Sequence, residues 1–144
     1  MQEQNFKNHA RFDPLFHIVL LGIILALTIM SIVNLVSAFN QGSGLLQGVM
    51  LFLIAIALII SFFKIRSFPL VVQDRVIRAE ENLRYFAITG KLIDPRLTLS
   101  QIIALRFAPD NELISLADRA LKEKLSNSDI KKAIKDWKAD HHRA

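Results

Sequence analysis

The chain has 144 residues, a net charge of +5, 52% apolar side chains and no cysteine, which excludes disulfides, thiolate catalysis and thiolate metal sites. Its charge is unevenly spread. The 50 residues 14–63 contain no Asp, Glu, Lys or Arg, which excludes an ordinary solvated surface there and fits two membrane crossings of ~20 residues each with a turn between them.

Residues 1–13 form a polar N-terminal segment. Lys7 and Arg11 balance Glu3 and Asp13, and within residues 1–11 Phe6 is the one side chain expected to be buried. The segment is expected to lie on the membrane surface or against the tail. Asp13-Pro14 then reads as a helix start, because Asp caps free N–H groups and proline suits the first turn.

A transmembrane helical hairpin is predicted over 14–66, with spans at about 15–38 and 45–63 and the turn formers Asn40-Gln41-Gly42-Ser43-Gly44 between them. A cleavable secretory signal is the competing reading of the first span, since Val36 and Ala38 have the small-residue spacing of a cleavage site. The apolar stretch is too long for it, and a second span follows. Basic residues stand on both flanks, Lys7 and Arg11 before the hairpin and Lys64 and Arg66 after it, with none in the loop. Both ends are therefore expected in the cytoplasm.

From residue 67 onward the reading is a small cytoplasmic helical domain. A kink or short break is expected at Phe68-Pro69. Residues 70–89 carry one apolar seam, Val72, Val76, Ala79, Leu83 and Phe86, in steps of 4, 3, 4 and 3. Asp74 with Arg78 and Glu80 with Arg84 have i to i+4 spacing, worth ~0.2–0.5 kcal/mol each, and Gly90 ends the helix. Thr98 and Gln101 have capping-box spacing. Pro109-Asp110 separates that short helix from one burying Leu113, Leu116, Ala117, Ala120 and Leu121. Ser126 and Asp129 open a last helix that buries Ile130, Ala133, Ile134 and Trp137. The fold class is thus all-α, a hairpin followed by a helical tail.

Several residues are weighed for chemistry. His141-His142 point ~100° apart on a helix, a poor pair for one metal ion, and read as an exposed terminus. His17, one turn into the first span, reads as an interfacial anchor ahead of a proton carrier. Gly22 with Ala26 and Ala57 with Ser61 are small-residue pairs suited to packing inside the hairpin, and Asn34 could bond across it. Candidate partner-binding residues are Gln73, Asp74, Arg75, Arg78, Glu81, Arg84 and Arg106, the last read either as a paired inner arginine or as part of a docking surface. Candidate membrane-surface residues are Lys64, Arg66, Lys131, Lys135, Trp137 and Lys138, with Lys131, Lys135 and Lys138 as a stripe on the last helix. No phosphate loop, serine elbow or zinc-helix motif is present, so no cofactor is expected and the chain is not read as an enzyme.

Four stretches together resemble a family of small bacterial membrane proteins, the domain of unknown function 6526. They are Asn8-His9-x-Arg11, Gln73-Asp74-Arg75-Val76-Ile77-Arg78 with Glu80, Glu81 and Arg84, Leu105-Arg106-Phe107-Ala108 with Asp110, Glu112 and Leu113, and Ile134-x-x-Trp137 with Asp140. The resemblance implies a two-span layout with a helical cytoplasmic tail and implies no activity. The leading expectation is a membrane-anchored adaptor or accessory subunit whose partners are membrane lipids and another membrane protein or complex. A homo-oligomeric pore or transporter component lined by His17 or Asn34 is the alternative. Tethering of nucleic acid by the basic tail ranks below both.

Overall fold

A computed structural model describes residues 4–6, 8 and 12–140, and every described element is helical. A π-helical turn Leu15–Leu20 leads into α1, Leu21–Gln41. Then come α2, Leu45–Thr89, α3, Leu99–Leu105, α4, Asp110–Lys122, and α5, Asn127–Ala133. The chain divides into two compact units: Phe12–Phe68, and the segment from Pro69 onward with the described part of the N-terminal segment.

In the first unit the helix starts as expected. The Asp13 carboxylate accepts from the N–H groups of Leu15 at 2.9 Å and Phe16 at 3.3 Å. At the other end of α1, Gly42 takes a left-handed conformation with φ +66° that a side chain would strain, and the chain reverses into α2. The two helices run antiparallel: Gly48 lies against Leu35 near the turn, while Phe16 and Phe62 stack at 4.6 Å toward the far ends.

The packed seam repeats every seven residues, with Ile24, Ser31 and Ala38 buried on α1 and Gly48, Ala55 and Phe62 buried on α2. This is the spacing that keeps two helices in contact along a left-handed crossing. Gly48 sits so close to α1 that an added Cβ would lie 3.0 Å from the Leu35 Cα. The expected small-residue pairs are not on this seam: Gly22, Ala26, Ala57 and Ser61 are all exposed. Both helices are long and apolar enough to cross a membrane, with mean hydropathies of 2.7 and 2.6 over their most apolar stretches. At 1.5 Å per residue the charge-free first part of α2, residues 45–63, is ~28 Å long, about one hydrocarbon core.

Of the kink or short break expected at Phe68-Pro69, the break does not occur: α2 continues through Pro69 to Thr89. Proline removes one helical N–H donor, a local defect that a long helix can carry across. Gly90, with φ +71° and its N–H on the Phe86 carbonyl at 2.8 Å, terminates the helix as anticipated.

The second unit is built around Ile102, Leu105, Phe107, Leu113 and Ile130, which are fully buried. Its starts follow the local signals. Thr98 and Gln101 form a reciprocal capping box on α3, and Ser126 accepts from the Asp129 N–H at the head of α5. The Gln101 amide donates to the Leu125 carbonyl at 2.9 Å, and the Asn127 amide donates to the Ser100 carbonyl at 2.6 Å, fastening α3 to α5. The last helix is shorter than expected. It ends at Ala133, and Ile134 and Trp137 reach the core from an irregular segment. The cause lies in α4, where the Glu112 carboxylate accepts from the Lys135 and Asp136 N–H groups at 3.1 and 3.2 Å and so diverts them from helical bonding.

Candidate functional site

The charge-rich second half of α2 carries most of the predicted partner-binding residues, and it divides them between two faces. One face is turned into the second unit. It buries Ile77 and Glu81, with Gln73, Asp74, Arg84 and Tyr85 half-buried beside them. The exposed side carries Arg75, Arg78 and Glu80 together with the whole anticipated apolar seam, in which Val76 is 49% and Leu83 69% exposed. The face that packs is therefore the polar one.

Arg84 explains why. Its guanidinium meets Glu81 Oε2 through Nη1 at 3.0 Å, the exposed Asp110 carboxylate through Nε and Nη2 at 2.7 and 2.6 Å, and the Ala108 carbonyl through Nη2 at 2.7 Å. A planar fork with several donors suits a corner where two carboxylates and a carbonyl converge. Arg84 thus pairs with Glu81 rather than Glu80, and Asp74 and Arg78 form no ion pair with each other. Asp110 also opens α4, where a negative charge complements the helix N-terminus. Burial pushes the Glu81 carboxyl above the usual carboxylate range, while Arg84 and then Lys138 pull it down.

Arg106 is the paired inner arginine of the two readings. It is 6% exposed, its Nε lies 3.3 Å from the Asp140 carboxylate, and its guanidinium stands 4.5 Å from the Phe107 ring. Trp137 packs on the other part of this cluster, its ring 4.9 Å from that of Phe107, and the Lys138 N–H donates to the Phe107 carbonyl at 2.8 Å. The lysine stripe is lost as a helical feature: Lys131 lies on α5, whereas Lys135 and Lys138 follow its end. Near the hairpin, Lys64 is exposed with its ammonium 5.3 Å from the Phe68 ring, and Arg66 is half-buried.

Within the hairpin, the His17 ring stacks on Phe12 at 4.8 Å, and its Nδ1 lies 2.8 Å from the Asp13 carbonyl. This holds it to the helix start. The Thr28 and Ser31 hydroxyls donate to the carbonyls of Ile24 and Thr28, each at 2.7 Å, so both are satisfied by α1 itself. Asn34 is exposed beside Gly48. Among the described residues no three His, Cys, Asp or Glu side chains gather as a metal site. Lys7, His9, Arg11, His141 and His142 lie outside the described residues.

A family model matches residues 1–144. The chain belongs to the family of unknown function DUF6526. No curated protein and no solved structure matches it. In this DUF6526 chain the residues that sequence reasoning passed over are acceptors: Pro109-Asp110 reads from sequence as a helix boundary and Glu112 only as part of a resembling stretch, yet Asp110 and Glu112 both bond to groups more than twenty residues away.

Proposed function

We propose that this DUF6526 protein is an integral protein of the bacterial cytoplasmic membrane, anchored by its hairpin with both termini cytoplasmic. In this reading it serves as an adaptor or accessory subunit of a larger membrane assembly rather than as an enzyme. The observation that carries the reading is the Arg84 corner. It fastens a folded helical domain to the helix that also supplies the second apolar span, which suits a module held at a membrane and presented to a partner.

The bond between Gln4 and Asp140 supports a shared side for the two ends, since it joins a residue ahead of the first span to one beyond the second. Lys64 and Arg66 support the cytoplasm as that side. A tag at Ser43 should be cleaved by external protease in intact spheroplasts, and protection would reverse the orientation. The pore alternative draws less support, because the Thr28 and Ser31 hydroxyls are already satisfied within α1.

The partner surface in this reading includes Arg78, which is exposed, and excludes Glu81, Arg84 and Arg106, which hold the domain together. Affinity purification of the intact protein and of an Arg78→Glu variant from native membranes tests it. Loss of a distinct co-purifying protein from the variant supports the adaptor. The same set from both, or self-copies alone, counts against it.

A further inference from the structure

The apolar stripe that the fold leaves uncovered has the pattern of a coiled-coil seam. Val72, Val76, Ala79, Leu83 and Phe86 follow steps of 4, 3, 4 and 3, which are the d, a, d, a and d positions of consecutive heptads. All five are exposed, Val72 at 61% and Phe86 at 50%. At ~100° per residue they lie opposite Ile77, Glu81 and Arg84, the side that engages the second unit, so the tail domain does not cover them.

The flanks specify the occupant. With Val76 and Leu83 at a positions, Arg75 falls at g and Glu80 at the following e, and both are exposed. In two parallel helices in register, a g residue faces the next e residue of its neighbour, so Arg75 of each copy meets Glu80 of the other. The match is symmetric, giving two opposite-charge pairs around one apolar seam. Hairpins inserted with the same topology enter this segment from the same end, which makes the helices parallel.

We infer that residues 72–86 form a parallel, in-register homodimer with a second copy of this chain, through the Val72, Val76, Ala79, Leu83 and Phe86 seam, with Arg75 and Glu80 setting the register. Two heptads are short for a coiled coil free in water. Confinement of both copies to one membrane raises their effective concentration and lets a short seam suffice. The inference rests on the membrane reading for its parallel geometry.

Because the chain has no cysteine, single introduced cysteines report without background. In intact membranes, oxidation should cross-link Val72→Cys, Val76→Cys, Ala79→Cys and Leu83→Cys, and leave Asp74→Cys, Arg78→Cys and Tyr85→Cys monomeric. In the Ala79→Cys background, Arg75→Glu and Glu80→Arg should each lower the cross-linked fraction several-fold, and the two together should restore it. Equal cross-linking at all sites, a maximum at Asp74, Arg78 or Tyr85, or no rescue by the double reversal would overturn the dimer. Carbonate-resistant retention of the same variants reads the anchor separately. Variants retained without seam cross-links sink the dimer alone, and variants released by carbonate sink the membrane reading.

Discussion

The side-chain amide of Gln4 makes a reciprocal pair with the backbone of Asp140, accepting from its N–H at 2.8 Å and donating to its carbonyl at 3.4 Å. Asp140 in turn offers its carboxylate to Arg106, so the N-terminal segment, the end of the tail and the core arginine are linked in one chain of contacts. Replacing Gln4 by Ala removes both amide bonds at a half-exposed site and should cost about 1 kcal/mol. Amide exchange at Asp140 and Lys138 checks this. Unchanged protection there would mean the pair contributes nothing in solution.

Arg84 should be far less replaceable. Arg84→Met leaves the Glu81 carboxylate buried without its guanidinium and strands the Ala108 carbonyl, so a loss of roughly 3–5 kcal/mol is expected. Arg84→Lys offers a point charge in place of a fork and should recover only part of it. Trp137, the one tryptophan, packs on Phe107 in the same unit and provides a fluorescence probe of unfolding in mild detergent. Wild-type stability in the Arg84→Lys variant would show that fork geometry does not matter.

Glu81 gives that stability a pH dependence. Its folded pKa is raised, so the folded state binds more proton than the unfolded state between the ordinary glutamate pKa and the raised one. Its contribution is therefore greatest below the ordinary pKa, falls as pH rises through this window, and stays at its lower value above it. Glu81→Gln keeps an acceptor for Arg84 and removes the charge, so the stability profile should flatten over that window. If the wild-type and Gln profiles run parallel, another group carries the dependence.

The parts of this fold that were legible in the sequence rest on local chemistry. The charge-free stretch, the Asp13 start, the Thr98 capping box, the Ser126 start and the Gly90 stop each depend on residues within a few positions of one another, and each appears where expected. What was not legible depends on distant partners. Apolar counting favoured the Val72 to Phe86 side of α2, but the domain docks through Glu81 and Arg84, whose acceptors Asp110 and Ala108 lie more than twenty residues on. Likewise α5 stops at Ala133 because Glu112 takes the next N–H groups, which no propensity at residues 134–137 encodes. The hairpin seam was misplaced for a related reason: the small-residue pairs are four apart, whereas the buried positions repeat at seven.

That seam yields a direct contrast between two glycines. At Gly48 an added Cβ would stand 3.0 Å from the Leu35 Cα, backbone that cannot turn aside, so Gly48→Ala must push the helices apart. Overpacking of this kind costs ~1–3 kcal/mol. At Gly22 an added Cβ meets nothing within 4 Å, and Gly22→Ala should gain up to ~1 kcal/mol from helix propensity. Far-UV circular dichroism during titration with a denaturing detergent reads both, and the two midpoints should move in opposite directions. Matching shifts would remove the close approach at Gly48 and with it the antiparallel register inferred for the hairpin.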